Sequence, residues 1–332
     1  MPRKAYHLSL TGFTGTLPVV LYPSGEQYAV TSGTTTATVT EVGATLRSFD
    51  VDGVPVVWGF AADQLCAGGR GQVLAPWPNR LADGTYEFGG RVGQAAIDEP
   101  AWHNAIHGLV CWRLWSIARL DDATVRGSCR LAPQPAYPWW LEIEVEYSVG
   151  PGTLTVATTA HNPGNETAPF GLGFHPYLAP GPAGLDGSRL SLPARRHLVL
   201  DERMLPVGAE PVEESAVPSL AAGIPLAGVR FNDSFTDLVA EADGRWRARF
   251  TPARGGGVVV VWGEAVFAHV MCYTGDWLAP DDHRAAVAVE PMTCPPNALR
   301  SGVDIIALPP GGSFHASWGI EVTAADPSPT DA

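Results

Sequence analysis

The chain has 332 residues, of which 45% are apolar and only 17% charged. That share of apolar residues excludes a disordered chain and is enough to build a sizeable core without metal or disulfide staples. A formal net charge of −13 argues against nucleic acid, whose phosphates it would repel, and favours neutral small molecules. The 37 glycines and 30 prolines suit many short strands joined by structured turns.

Arg3 and Lys4 stand near the start with no apolar run behind them, so no secretory leader is predicted. No uncharged apolar stretch reaches the roughly 18 residues of a membrane span. A cytoplasmic protein is expected. The five cysteines, Cys66, Cys111, Cys129, Cys272 and Cys294, are odd in number and show no CxxC spacing. They are read as mostly reduced thiols.

Residues 28–30, 36–40 and 44–49 alternate with period two and predict strands. Asp52-Gly53 and Asp83-Gly84 are hairpin turn signals, because glycine accepts the positive φ of a tight turn. Gly68-Gly69-Arg70-Gly71 fits neither phosphate-loop pattern and reads as a turn, as do the glycines at 255–257. Residues 141–147 and 153–159 form the cleanest strand pair. Glu142, Glu144 and Glu146 share one face of it, read as solvated, over a core face of Leu141, Ile143, Val145 and Tyr147. Further strands are predicted at 197–200, 245–250, 257–262, 266–272, 285–289 and 314–320. The stretches 178–188 and 206–228 read as long surface loops, and 231–237 as a loop of short polar groups. Residues 221–226 are too short for a helix, and no segment sustains a 3.6-residue period, so a βαβ dinucleotide fold is excluded. The prediction is an all-β protein, one large antiparallel β-sandwich spanning residues 1–332.

Four clusters carry the candidate chemistry. Pro76-Trp77-Pro78-Asn79-Arg80 is a proline-stiffened loop. Asn79 and Arg80 on it either brace the loop or donate to sugar hydroxyls. Trp102-His103-Asn104-Ala105-Ile106-His107-Gly108 presents His107 as a site imidazole or a structural one, with His103 facing solvent. Gly171-Leu172-Gly173-Phe174-His175-Pro176-Tyr177 sets His175 in a stiff aromatic wall. Val287-Ala288-Val289-Glu290-Pro291 places one carboxylate in an apolar run, where the prolines at 291, 295 and 296 are expected to stop the strand. Glu290 is either a general base or one half of a salt bridge, with Arg80 as the candidate partner. Ionisable groups set in apolar surroundings are candidates for proton transfer. His107, His175 and His269 would have to converge for zinc, and no HxH or HExxH spacing supports a metal. The 11 tryptophans also supply faces on which a sugar ring stacks.

Together these clusters resemble the aldose 1-epimerase (galactose mutarotase) family. The matching pieces are Pro78-Asn79-Arg80-Leu81, Ile106-His107-Gly108, Gly171 to Leu178, and Ala288 to Leu299. The resemblance implies a mutarotase-type sandwich open on one side as a sugar cleft, and no cofactor. It implies His175 as general acid and Glu290 as general base, facing each other across a pocket one pyranose wide. Asn79, Arg80, His107 and Tyr177 would contact the sugar. The family's hydroxyl-binding aspartate falls at Asn232 in the most natural register, with Asp233 one residue on, so both are candidates. The implied partner is a small free sugar, with no membrane and no nucleic acid, and the chain is a monomer or homodimer. A non-catalytic carbohydrate-binding sandwich, an epimerase of hexose 6-phosphates and a glycoside hydrolase are the competing readings.

Overall fold

The computed structural model describes residues 21–323. The segment carrying Arg3 and Lys4 lies outside them. Almost all regular structure is strand, in antiparallel sheets, with one short α-helix at Ala298–Ser301 and a 3-10 turn at Pro280–Asp282.

The larger sheet has nine strands. Its centre is the meander Thr124–Leu131, Leu141–Gly150 and Thr153–His161, continued by the C-terminal strand Ser313–Thr323 and then by Val258–Glu264 and Arg245–Thr251. The expected alternation holds: Leu141, Ile143, Val145 and Tyr147 are buried, while the three glutamates face outward. Glu142 and Glu146 lie directly opposite Arg130 and Arg126 and pair with them at 2.9 Å. Solvent screens these exposed pairs, so they add little to stability.

Trp246 and Gly263 face each other across neighbouring strands of this sheet. A Cβ on Gly263 would stand 2.5 Å from the indole. The ring has no room to retreat, because its Nε1–H donates to the Phe267 carbonyl at 2.8 Å. Trp262 lies over Gly319 in the same way. A ring covering a strand glycine replaces the packing that the missing side chain would supply. Gly263→Ala is therefore expected to overpack the sheet and lower stability by about 1–3 kcal/mol. Urea unfolding should show a lower midpoint with an unchanged slope.

The second sheet has eight strands. Its path runs Pro206–Pro211, Ala194–Leu200, Asn232–Leu238, His269–Tyr273, Val287–Met292, Gly173–Phe174, Val73–Leu74, with Tyr177–Leu178 also paired to Val287–Met292. The inner faces of the two sheets meet in one continuous apolar cluster. Phe174 of the smaller sheet packs on Trp318 of the larger, ring centroids 5.1 Å apart.

Several sequence expectations need correction. Residues 231–237 are not a loop, because Asn232–Leu238 is an interior strand of the second sheet. Its alternation was masked by polar residues that face the interior. Part of the predicted loop 206–228 is the edge strand Pro206–Pro211, where proline is tolerated because no partner needs its N–H. The strand predicted at 266–272 begins only at His269, after a turn closed by Phe267 N–H on the Glu264 carbonyl. Asp52-Gly53 does close a hairpin. Asp83-Gly84 makes a tight turn, but the strands flanking it pair elsewhere, Arg80–Ala82 with Asn104–Ile106 and Thr85–Phe88 with Arg91–Gln94. All five cysteines are free and buried. Among the described residues no helix is long and apolar enough to cross a membrane.

Candidate active site

The central strand Val287–Met292 is buried along its whole length. Val287 and Val289 enter the main core, and the opposite face carries Ala288, packed with Tyr177, and then Glu290. Pro291 does not stop this strand, which runs on to Met292. Alternation therefore delivers the Glu290 carboxylate to a cleft of about 450 Å³, and the same cleft reaches His175.

His175 sits between two short strand segments tied to the glycine-rich loop: its N–H donates to the Gln72 carbonyl, and its own carbonyl accepts from Gly71 N–H at 2.9 Å. The imidazole stacks on Tyr177 at 4.9 Å with an interplanar angle of 16°. Behind it, a Cβ on Gly69 would come within 2.7 Å of Cδ2. Gly173, two residues earlier, lets Pro78 and Met292 close in from either side.

His175 Nε2 and Glu290 Oε1 are 3.3 Å apart. The two groups are 5% and 2% exposed yet both line the cleft. They form the cleft floor side by side, not opposite walls a pyranose apart. Among the described residues nothing hydrogen-bonds His175 Nδ1 or Glu290 Oε2. Burial consequently pushes the Glu290 carboxyl well above the ordinary carboxylate range, with Arg80 pulling weakly the other way. Burial likewise holds the His175 imidazole well below its ordinary value. Both shifts favour the uncharged forms, so at neutral pH the pair carries one shared proton and no net charge.

Arg80 does not pair with Glu290. Its Nε and Nη2 grip Glu99 at 2.8 and 2.9 Å, and its guanidinium lies 4.8 Å over the Trp102 ring. The Nη1 side is the part of the fork not held by Glu99. Asn79 and His107 bind reciprocally: His107 N–H donates to the Asn79 carbonyl at 2.9 Å, and Asn79 N–H donates to His107 Nδ1 at 3.3 Å. That bond leaves Nε2 as the nitrogen of His107 that carries the proton. Burial, with His175 and Arg80 nearby, holds the His107 imidazole well down, so it is neutral. Asn79 Oδ1 accepts from Arg80 N–H at 2.9 Å, so this side chain braces the loop as well as lining the cleft. Asn297, from the segment after Glu290, donates its N–H to the Arg80 carbonyl at 2.6 Å and accepts from Ala82 N–H at 3.1 Å. The four clusters are thereby stitched into one site.

Two expected sugar ligands are placed differently. Asp233 does not reach the cleft. It lies on the other face of its strand, where Oδ1 meets His197 Nε2 at 3.0 Å and Oδ2 accepts from Asn232 N–H at 2.9 Å. Although burial works against it, Asp233 and Glu210 hold the His197 imidazole above its ordinary range. Asn232 itself lines the cleft. Tyr177 also borders it, but its hydroxyl donates to the Gly68 carbonyl at 2.9 Å, so its part is to support the His175 ring. His103 is exposed and meets Asp83 at 3.1 Å. His107 and His175 are neighbours, with ring centroids 5.3 Å apart, but His269 turns to Asp304 at 2.8 Å. No group of three metal-ligating side chains occurs among the described residues. Sequence reasoning missed Glu99, gave Trp102 no role within its cluster and took Gly68-Gly69 only as a turn. The only local signal for Glu99 was an acid placed beside the Trp102-His103 loop.

The aldose 1-epimerase family model matches residues 26–320. The chain belongs to the aldose 1-epimerase family. It is 32% identical over 292 residues to the uncharacterized protein YihR of Escherichia coli K12, covering 88% of this chain and 91% of that one. Among solved structures, the GalM/aldose epimerase homologue from C. elegans superposes with a TM-score of 0.80 at 18% identity, covering 91% of this chain and 99% of that one. Galactose 1-epimerase from Lactobacillus acidophilus NCFM gives 0.75 at 15% identity, covering 90% and 95%. At such identities these structures establish the shared fold, a galactose mutarotase-like β-sandwich, for this aldose epimerase family member.

Proposed function

We propose that this protein is a cofactor-independent aldose 1-epimerase that exchanges the α and β anomers of a free aldose within a single sugar-binding domain. The observation that carries this reading is the 3.3 Å contact between His175 and Glu290 on the cleft floor. Anomer exchange takes a proton from the C1 hydroxyl and delivers one to the ring oxygen. Both oxygens are bonded to C1, so base and acid have to lie side by side. Glu290 as carboxylate takes the hydroxyl proton and His175 as imidazolium supplies the ring oxygen. The ring opens to the aldehyde, the C1–C2 bond turns, and closure reverses both transfers. The shared proton reaches the reactive arrangement by passing from Glu290 to His175. His107 Nε2–H, the Nη1 side of Arg80, and Asn232 supply donors to the ring hydroxyls.

A passive binding site gains nothing from holding a buried carboxyl against a buried imidazole, since each group loses solvation there. A glycoside hydrolase needs a second carboxyl acting beside Glu290, whereas the group in contact with Glu290 is an imidazole, Glu99 is committed to Arg80, and Asp98, the remaining acid lining the cleft, accepts from Ile106 N–H at 2.8 Å.

The test is a panel of freshly dissolved α- and β-anomers of free and phosphorylated aldoses, followed by polarimetry and by NMR of the anomeric proton. Acceleration of a free aldose over buffer supports the reading; no acceleration of any aldose in the panel sinks it.

The pH dependence follows from the directions of the two shifts. The pair is active while it holds one proton. With Glu290 raised, kcat/KM is expected to fall above a pH of about 8, tenfold per unit, as that proton leaves. With His175 lowered, the acid limb lies well below the ordinary histidine value of about 6.5. An acid limb centred at that ordinary value would show that the imidazole is not desolvated in the free enzyme.

A further inference from the structure

We propose that Gln72 is a specificity-determining residue that reads the C6 group of the sugar, its amide oxygen accepting from the free C6 hydroxyl of an aldohexose. The inference rests on the reading above, because that reading fixes which sugar oxygen meets which member of the proton-transfer pair.

The second sheet lays the side chains concerned in one cross-strand row. Gly173 stands opposite Met292, and Tyr177 opposite Ala288, so His175, midway between them, stands opposite Glu290. On its other side Phe174 stands opposite Val73. That brings His175 level with Gln72, whose carbonyl accepts the His175 N–H at 3.2 Å. Glu290 in turn stands opposite Met271, and Met271 opposite Ser234. Residues level with one another on paired strands point to the same face, about 5 Å apart. The row therefore runs Ser234, Met271, Glu290, His175, Gln72, and its last four members line the cleft.

A sugar has to lie along this row. In a β-D-aldohexopyranose the substituents at C1 and C5 are equatorial, so O1, C1, O5, C5 and C6 form one extended zigzag. With O1 at Glu290 and O5 at His175, the zigzag continues towards Gln72 and delivers C6 there.

Gln72 has an acceptor to spare. The residue is only 3% exposed, although it borders the cleft. Its backbone N–H is used in the glycine turn, donating to the Gly69 carbonyl at 3.0 Å. Its side-chain Nε2 faces the Cys111 carbonyl at 3.5 Å, the outer limit of a hydrogen bond. That carbonyl fixes which way the amide points, since an amide oxygen turned towards it would be repelled. Oε1 is the end left over, and among the described residues nothing hydrogen-bonds it. A buried amide oxygen without a donor is costly, and a C6 hydroxyl supplies one. The row holds no arginine or lysine, so it suits a free hydroxyl and not a phosphate on C6.

The experiment measures mutarotation kcat/KM by NMR of the anomeric protons for two pairs, glucose with 6-deoxyglucose and galactose with 6-deoxygalactose, and for glucose 6-phosphate. The deoxy sugars keep the C6 methyl, so only the hydrogen bond is lost. In the wild type the 6-hydroxy member of a pair is expected to be favoured about three- to tenfold, the range of one neutral hydrogen bond, with glucose 6-phosphate slower than glucose. In Gln72→Leu the ratio should fall to about one. Both sugars are measured on one sample, so the ratio does not depend on how much of the variant is folded. If Gln72→Leu yields no active protein, Gln72→Met is read the same way, and the wild-type ratio still decides. A pair turned over with no preference for its 6-hydroxy member, a ratio unmoved in the variant, or glucose 6-phosphate faster than glucose overturns the role of Gln72 and leaves the epimerase reading standing. No acceleration of any of the five sugars overturns this inference, whereas the epimerase reading falls only if the wider panel of aldoses fails too.

Discussion

Glu290→Gln and His175→Ala are each expected to lower mutarotation turnover at least about 100-fold, the low end of what one positioned acid or base contributes. Gln keeps the shape of the carboxyl in a wholly buried strand but cannot take the hydroxyl proton. Ala removes the imidazole that stands 3.3 Å from that carboxyl. Because the two residues share one proton, they act as a unit, and the double variant should be little worse than the poorer single one. Initial rates by polarimetry on freshly dissolved α-glucose or α-galactose, or on whichever aldose the panel identifies, measure the loss. Thermal unfolding of the same samples separates it from misfolding. Either single variant keeping a tenth of wild-type turnover would remove that residue from the proton transfer.

Gly69→Ala is expected to reduce kcat by about 10- to 100-fold with both members of the pair left unsubstituted. Gly69 has φ +72, and a Cβ there would stand 2.7 Å from Cδ2 and 3.1 Å from Nε2 of His175. The ring cannot slide away, since Tyr177 stacks on one face and is itself pinned to Gly68. The remaining response is a shift of the imidazole relative to Glu290, and misplacing a reacting group by about 1 Å can cost a hundredfold. Ala is also strained at positive φ, so a loss of stability of about 1 kcal/mol accompanies it. The telling readout is kcat measured well below the unfolding temperature. If kcat there matched wild type, the glycine would serve only the turn.

Much of the molecule could be read before any coordinate. The alternation of residues 141–147 predicted both the inner face and the solvated glutamate row, because a strand's period of two is a local property. His175 and Glu290 stood out because each interrupts an apolar pattern, and burying a charge is costly enough that such an interruption needs a reason. The segment 231–237 failed for the converse cause. Two of its polar side chains are satisfied by partners distant in sequence, Asp233 by His197 and Thr236 by the Ala268 carbonyl, and no local pattern announces a distant partner.

The amino-acid sequence by itself determined the all-β class, the family likeness and the two ionisable groups at the centre of the site. Only the tertiary structure decided that those groups touch, that Glu99 takes one side of Arg80, that Asp233 faces away from the cleft while Asn232 faces into it, and that Tyr177 supports a ring and does not offer its hydroxyl. Each of these depends on which strand lies beside which and on what each side chain finds there. Strand order and cross-strand register come from long-range packing, whereas a sequence pattern reports only which face of its own strand a residue occupies.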